Sequence, residues 1–344
     1  MDVSILICTY NSTKRLPETL CHLSYQKVPG NIQWEILVVD YASKDGTPEL
    51  ALQLWDNDAV PLRIFHEKKA GKSHALETGF RNAKGKVVCI VDDDNWVCED
   101  YVRIAYETMA AHSDVGIIGA RGEAACEILP PPWFEEHKGS YAVGPQGKER
   151  GYAKQDRLWF WGAGSAIRRE AWLKLKEKGF KALINFSRDG VSSKKTSTGG
   201  EDGELCYAIQ LAGYRPWYEP DLAYKHFIPA KRLTFDFYKK NQQTLVASLP
   251  IILIYYANVV ALDRFKGKLI RIMYRNWYLH VFAIFGQFCK GLLLTLFRRK
   301  GFEYHQCIMQ VQMLKRKFEA INKIGPRNFR NIVQRIDNLK MIGK

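Results

Sequence analysis

The chain has 344 residues, 47% of them hydrophobic and 12% aromatic, enough to bury a large core and to exclude a disordered or fibrous polymer. Its formal charge of +15 is unevenly placed: residues 231–344 carry 22 Lys and Arg against 5 Asp and Glu, whereas residues 1–230 carry 29 against 31. Eight cysteines without a CxxC pair or regular spacing argue against a zinc cage or disulfide framework, and an apolar run starting at Val3 with no basic segment before it argues against a secretory signal, so the cytoplasm is the expected location.

Residues 1–120 alternate short apolar runs with amphipathic stretches. Residues 3–8, 34–39, 62–65, 87–91 and 115–118 read as strands, and the stretches near 13–25, 46–55, 72–83 and 98–111 read as helices. That βαβα order predicts an α/β fold, a mostly parallel sheet covered by helices on both faces. Ligands of such sheets bind beyond the carboxyl ends of the strands, so the polar residues after each run are the first candidates. Residues 121–158, with Pro130, Pro131 and Pro132, lose the periodicity and read as a long irregular excursion; 187–200 reads as a second. After residue 231 the composition turns aromatic, aliphatic and basic.

Four polar clusters follow in chain order. Thr9, Tyr10 and Asn11 leave the first strand for a helix, without the glycine spacing of a dinucleotide fingerprint or a phosphate loop. Asp40 ends the second strand, where a carboxylate can accept a hydrogen bond from a base NH or a ribose hydroxyl; Asp45 and Gly46 beyond it fit ordinary turn chemistry. The third is the run Asp92, Asp93, Asp94, Asn95, directly after a buried-looking strand. Three adjacent carboxylates there need a compensating cation or solvent, and Mg²⁺ or Mn²⁺ with a diphosphate supplies one. A calcium EF-hand is excluded, because Val97 stands at its sixth position and Arg103 at its twelfth. The fourth, Gly199 to Leu205 with Glu201 and Asp202, opens a helix. Acids in a first turn suit the helix dipole; a carboxylate facing a metal-bound diphosphate also suits base-assisted attack by a sugar hydroxyl.

Together, residues 4–11, 38–47, 71–94, 161–169 and 200–205 resemble the inverting family 2 glycosyltransferases of the GT-A type, over roughly residues 1–235. The resemblance implies a GT-A-type mixed, mostly parallel sheet in a catalytic domain at 1–235, with a nucleotide-sugar-binding half at about 1–120 and an acceptor half at about 121–235; the change of composition adds a helical basic region at 236–344. It implies that Asp40 contacts the base and Lys72 lies near the nucleotide. Asp92 and Asp94 match the Asp-x-Asp pair that engages ribose and metal, with Asp93 between them, and Asp202 matches the base of the Glu-Asp motif. Tyr41 and Ala42 depart from the family pattern, which often has Asn or Asp and then Gly. His226 matches a position that can sit near the diphosphate or metal, and a structural role is its other reading.

The implied reaction is an in-line displacement at the anomeric carbon of a nucleoside-diphosphate sugar, UDP-linked by preference, with Mn²⁺ or Mg²⁺ as cofactor and Asp202 as base. Glu201 and Trp161 are acceptor-side candidates, as are Trp159, Trp133 and Phe134, since aromatic faces stack on sugars; each also fits a core role. A saccharide or lipid-linked acceptor is expected. A sugar-phosphate nucleotidyltransferase would carry a glycine-rich, Arg-containing loop after the first strand, which is missing here. A nucleic-acid-binding protein would show a reading motif among the C-terminal charges, and none appears, which disfavours nucleic acid as a partner. A catalytically dead scaffold fits poorly with every acidic motif present. The apolar runs 245–262 and 277–297 sit among Arg264, Lys266, Lys268, Arg271, Arg275, Arg298, Arg299 and Lys300. Pro250 and Asn258 interrupt the first, and His280, Gln287 and Lys290 the second, so the expectation is docking on an anionic cytoplasmic membrane surface without necessarily crossing it; helices packed on the catalytic domain are the alternative.

Overall fold

A computed structural model describes residues 1–69, 71–153, 159–184, 200–260, 265–297 and 302–340. The stretch expected to be irregular at 187–200 lies outside the described residues except for Gly200, as do Arg264, Arg298, Arg299 and Lys300. The chain divides into two compact units, Met1–Glu177 with Ala212–Leu233, and Lys178–Leu211 with Thr234–Lys344. The C-terminal division thus falls two residues before the expected one, and 178–211 groups with the later helices rather than with the sheet.

The first unit alternates β1 (Val3–Thr9), α1 (Leu16–Ser24), β2 (Trp34–Asp40), α2 (Thr47–Leu54), β3 (Leu62–His66), α3 (Lys72–Asn82) and β4 (Val87–Ile90). It continues through β5 (Asn95–Val97), α4 (Tyr101–Ala111), β6 (Val115–Cys126), α5 (Trp133–His137), β7 (Gly151–Tyr152), β8 (Ser165–Arg168) and α6 (Arg169–Glu177), and returns after α7 (Glu201–Leu211) with β9 (Arg215–Ile228). Every residue of β1, β2 and β4 is buried, the reason these strands read as continuous apolar runs. The strand order is β3-β2-β1-β4-β8-β6-β9-β5, with β7 on β9. β3, β2, β1 and β4 are mutually parallel, β8 runs antiparallel to β4 and β6, and β9 is parallel to β6. The expected mixed α/β sheet is therefore present.

The described part of the excursion, 121–153, is less irregular than its sequence, and 154–158 lie outside the described residues. β6 continues to Cys126 because Arg121 to Cys126 pair with Ala223 to Ile228 of β9, a long-range ladder that apolar periodicity does not report. Phe134 of α5 is 3% exposed and packs on the Tyr141 ring, so of the two aromatics expected there it belongs to the core.

The second unit is helical: α7, then α8 (Phe235–Val260), α9 (Phe265–Arg275), α10 (Trp277–Phe297) and α11 (Phe302–Asp337), the last kinked at Gly325 (φ 69°) before Pro326. Arg275 ties three of these helices together, donating to Asn258 Oδ1 and Asp337 Oδ1, each at 2.7 Å.

Candidate functional site

The loops after β1 and β2 are fastened to each other. Thr9 and Asp40 are register partners, Tyr41 N–H donates to the Thr9 carbonyl (3.1 Å), Asn11 N–H donates to Ser43 Oγ (2.8 Å), and Lys44 N–H donates to Asn11 Oδ1 (2.9 Å). Holding them this close places two non-glycine residues in the left-handed region, Asn11 at φ 47° and Ala42 at φ 72°. Such geometry costs of order 1 kcal/mol or more and persists only where surrounding bonds enforce it. Tyr10, 45% exposed, stacks on Tyr41 with ring centroids 5.5 Å apart, so a flat aromatic face meets solvent beside Asp40. Asp40 itself is buried. Its Oδ2 accepts from Ser43 N–H at 3.2 Å, while Oδ1 has no hydrogen-bond partner among the described residues. An unpaired buried carboxylate oxygen is costly, and a donor supplied by a ligand would remove that cost.

The acidic run after β4 has three different environments. Asp92, partly exposed, pairs with Lys72 Nζ at 2.5 Å; Lys72 opens α3 behind Gly71. Asp93 turns inward, where Thr9 Oγ1 (3.0 Å), Arg15 Nε (3.2 Å) and an Arg15 terminal nitrogen (3.1 Å) donate to it. Burial raises the Asp93 pKa and Arg15 opposes the rise. Both its oxygens are thus engaged inside the protein. Asp94 faces Arg232, at 3.1 Å from Oδ2, and His226 Nε2, at 3.5 Å from Oδ1. Burial would raise the Asp94 pKa, but His226 and then Arg232 outweigh it and hold the carboxyl well below the usual range. The β5–β9 ladder makes this meeting possible, since Asn95 registers with His226 and Phe227 N–H donates to the Asp94 carbonyl.

His226 Nδ1 lies 2.6 Å from the Tyr141 carbonyl, so Nδ1–H donates there and Nε2 is aimed at Asp94. Metal-binding histidines are oriented in this way. Among the described residues no group of three His, Cys, Asp or Glu converges as a ready-made metal cage. That donor set still fits Mg²⁺ or Mn²⁺, which take one or two carboxylates and complete their shell with substrate phosphates and water.

The structure therefore brings together Thr9, Tyr10, Asn11, Asp40, Lys72, Asp92, Asp93, Asp94 and His226. Trp161 lies in the same unit, its N–H held by Gln146 Oε1 at 2.7 Å. Glu201 and Asp202 open α7 in the second unit. Sequence reasoning missed Arg15 and Arg232. The signal for Arg232 was the basic pair Lys231-Arg232 just beyond the His226 strand; Arg15, on the first turn of an ordinary amphipathic stretch, gave none.

Residues 4–175, half of the chain, match the family model described as glycosyl transferase family 2. A dolichyl-phosphate beta-glucosyltransferase of Trichomonas vaginalis is 33% identical over 97 residues, covering 27% of this chain and 30% of the relative. The matches to the first curated relatives span only 30% to 40% of their lengths. Residues 1–349 of Staphylococcus aureus TarS, solved with UDP, superpose with a TM-score of 0.55 at 16% identity, over 97% of this chain and 90% of that one. The mannosyltransferase PcManGT of Pyrobaculum calidifontis, solved with GDP-Man and Mn²⁺, gives 0.55 at 20% identity over 93% and 86%. Both likenesses bear out the expected GT-A-type fold. With the acidic run, its flanking strands and half of the sequence all falling within one family's pattern, the chain belongs to glycosyl transferase family 2.

Proposed function

We propose that the protein transfers a sugar from a nucleoside-diphosphate sugar, UDP-linked by preference, to a hydroxyl acceptor with inversion, in the synthesis of a surface polysaccharide or glycolipid. The observation that carries the donor reading is the unpaired, buried Oδ1 of Asp40 beside the exposed Tyr10 face. Uracil offers an imide N–H to such an oxygen and a flat ring to such a face. Thr9 and Asn11 shape the loop, Asp93 holds it through Arg15, and Lys72 and Arg232 supply positive charge for a diphosphate. Asp94, with Asp92 and His226, would hold Mn²⁺ or Mg²⁺, which when bound offsets charge developing on the leaving diphosphate.

In the displacement, the acceptor oxygen bonds to the anomeric carbon as the bond to the diphosphate oxygen breaks. Asp202, matched to the family's base, takes the hydroxyl proton, and Glu201 and Trp161 are assigned to the acceptor side. Relatives whose names specify dolichyl phosphate or poly(ribitol-phosphate) support a saccharide or lipid-linked acceptor. The test is a thermal-shift panel of nucleoside diphosphates with Mn²⁺, followed by turnover of the matching sugars. UDP should raise the Tm, and Asp40→Asn should reduce that rise. No shift with any nucleotide would defeat the donor reading.

A cytoplasmic protein docked on an anionic membrane surface is the localisation this reading favours. Leu269 and Ile272 on α9, and Tyr278, Leu279, Phe282 and Phe285 on α10, are 43% to 76% exposed, next to exposed Lys268. Together these apolar side chains and the basic sequence around them suit an interfacial helix pair. By contrast α8, the one helix among the described residues long and apolar enough to cross a bilayer, carries Pro250 and uses Tyr255 and Asn258 for bonds within its own unit. Flotation with phosphatidylserine vesicles should therefore fall for Phe282→Glu/Phe285→Glu; equal flotation of the variant would remove this face from the reading.

A further inference from the structure

Glu204 lies two residues beyond Asp202 in the first turn of α7, and it is 1% exposed. A buried carboxylate is expensive unless donors surround it. Here three do: Oε1 accepts from Leu183 N–H (2.8 Å) and from the Tyr255 hydroxyl of α8 (3.0 Å), and Oε2 accepts from Ile184 N–H (3.1 Å). Burial raises the Glu204 pKa while the two backbone donors and then Tyr255 oppose the rise. All three donors point at the carboxylate, so the group serves as an acceptor.

Its partners lie far away in sequence. Leu183 and Ile184 precede Glu204 by 21 and 20 residues, and Tyr255 follows it by 51. One side chain therefore fastens the start of α7 to a distant backbone turn and to the C-terminal part of α8. A second contact acts on the same turn of helix. Gly200 sits at φ 109°, and a Cβ there would come within 2.6 Å of Ser248 Oγ on α8, so glycine lets the helix start lie directly against its neighbour. Glu201 and Asp202 are the next two residues. Helix dipole chemistry explains an acid in this turn, but it does not call for one that is buried and triply bonded.

We propose that Glu204 is a positioning residue for Asp202. Its carboxylate fixes the first turn of α7 so that the neighbouring carboxylate is held in one place, and Tyr255 shares that task from α8. The inference rests on the assignment of Asp202 as base. A base held rigidly at hydrogen-bonding distance from its hydroxyl contributes more than one that samples several positions, and the loss should appear in kcat rather than in donor binding.

Glu204→Gln keeps the shape but turns an amide NH₂ toward at least one of the three donors. Tyr255→Phe removes a single hydroxyl. In full-length protein, Glu204→Gln should lower kcat about 10-fold or more with donor KM within about twofold, and Tyr255→Phe should lower it less, in the same direction. Measured in the Asp202→Asn background, Glu204→Gln should produce no further fall, because the group it positions is already gone. Circular dichroism and UDP binding identify variants that remain folded. A folded Glu204→Gln enzyme with unchanged kcat overturns the proposal, as does a further fall of the same size in the Asp202→Asn background. If Glu204→Gln does not fold, the same two criteria apply to Tyr255→Phe. Full turnover by Asp202→Asn alone would instead remove the base assignment, which separates the two failures.

Discussion

His280 offers a quantitative test of how the helical unit is packed. It lies on α10, fully buried, with its ring against Tyr274 (centroids 5.1 Å apart) and Phe329 (5.8 Å), and neither ring nitrogen has a hydrogen-bond partner among the described residues. Burial, and then the nearby Lys317, push its pKa down to about 3 from an ordinary 6.5. The unfolded chain therefore takes up a proton as pH falls through 6.5, while the folded protein does not until about 3. Its contribution is neutral above pH 6.5 and increasingly destabilising below. Between pH 7.5 and pH 5, linkage gives a loss of about 2 kcal/mol from this residue alone. His280→Phe should abolish that part of the slope. At pH 7.5 it should also leave the protein as stable or about 1 kcal/mol more so, since two unpaired polar atoms leave an apolar site. The assay is urea unfolding of wild type and variant at both pH values, taking the difference of differences so that other histidines cancel. Parallel pH slopes would refute a buried, neutral, unpaired imidazole.

Three other perturbations probe the first unit and the start of α7. Arg15→Ala leaves Asp93 buried without its main partner and should cost roughly 3 kcal/mol in unfolding free energy, a loss that Asp93→Asn in the same chain should partly restore; equal instability of single and double variants would count against the pair. Asp94→Ala should remove the Mn²⁺-dependent part of the Tm rise given by UDP, and a rise identical to wild type would take Asp94 out of the metal site. Gly200→Ala should destabilise by about 1–3 kcal/mol through its positive φ and its contact with Ser248; Ser248→Gly should recover only the contact part, so complete recovery would show that the backbone is unstrained there.

The sheet was legible because its strands are buried on both faces. Residues 3–8, 34–39 and 87–91 carry only two polar side chains, Ser4 and Glu35, which bond each other inside the sheet at 2.7 Å, and four of the five expected strand cores match observed strands within one residue at either end. The fifth, at 115–118, was the first third of β6. Its remainder, Gly119 to Cys126, alternates small and charged residues and becomes a strand only through pairing with β9 a hundred residues later. The grouping of Lys178–Leu211 with the C-terminal helices was hidden for a related reason. Glu204 reads as a helix-dipole acid in sequence, and its bond to Tyr255 exists only in three dimensions.

The acidic run shows where residue type ends and geometry begins. Three adjacent aspartates announce a cation site, yet a sequence cannot say which carboxylate faces which way. The structure gives each a different cation: Lys72 for Asp92, Arg15 for Asp93, and Arg232 with His226 for Asp94. These partners come from the start of α3, the residue before α1, and β9 with the turn just after it, so no local pattern contains them. Their chemistry also differs. Arginine presents a fixed fork to the inward Asp93, suiting a permanent brace, whereas the ammonium of Lys72 sits on a flexible stem at the partly exposed Asp92, where it can turn to a phosphate. The repulsion that makes the run conspicuous in sequence is thus relieved one carboxylate at a time: at Asp93 by a brace internal to the unit, and at Asp92 and Asp94 by cations that a nucleoside diphosphate could share.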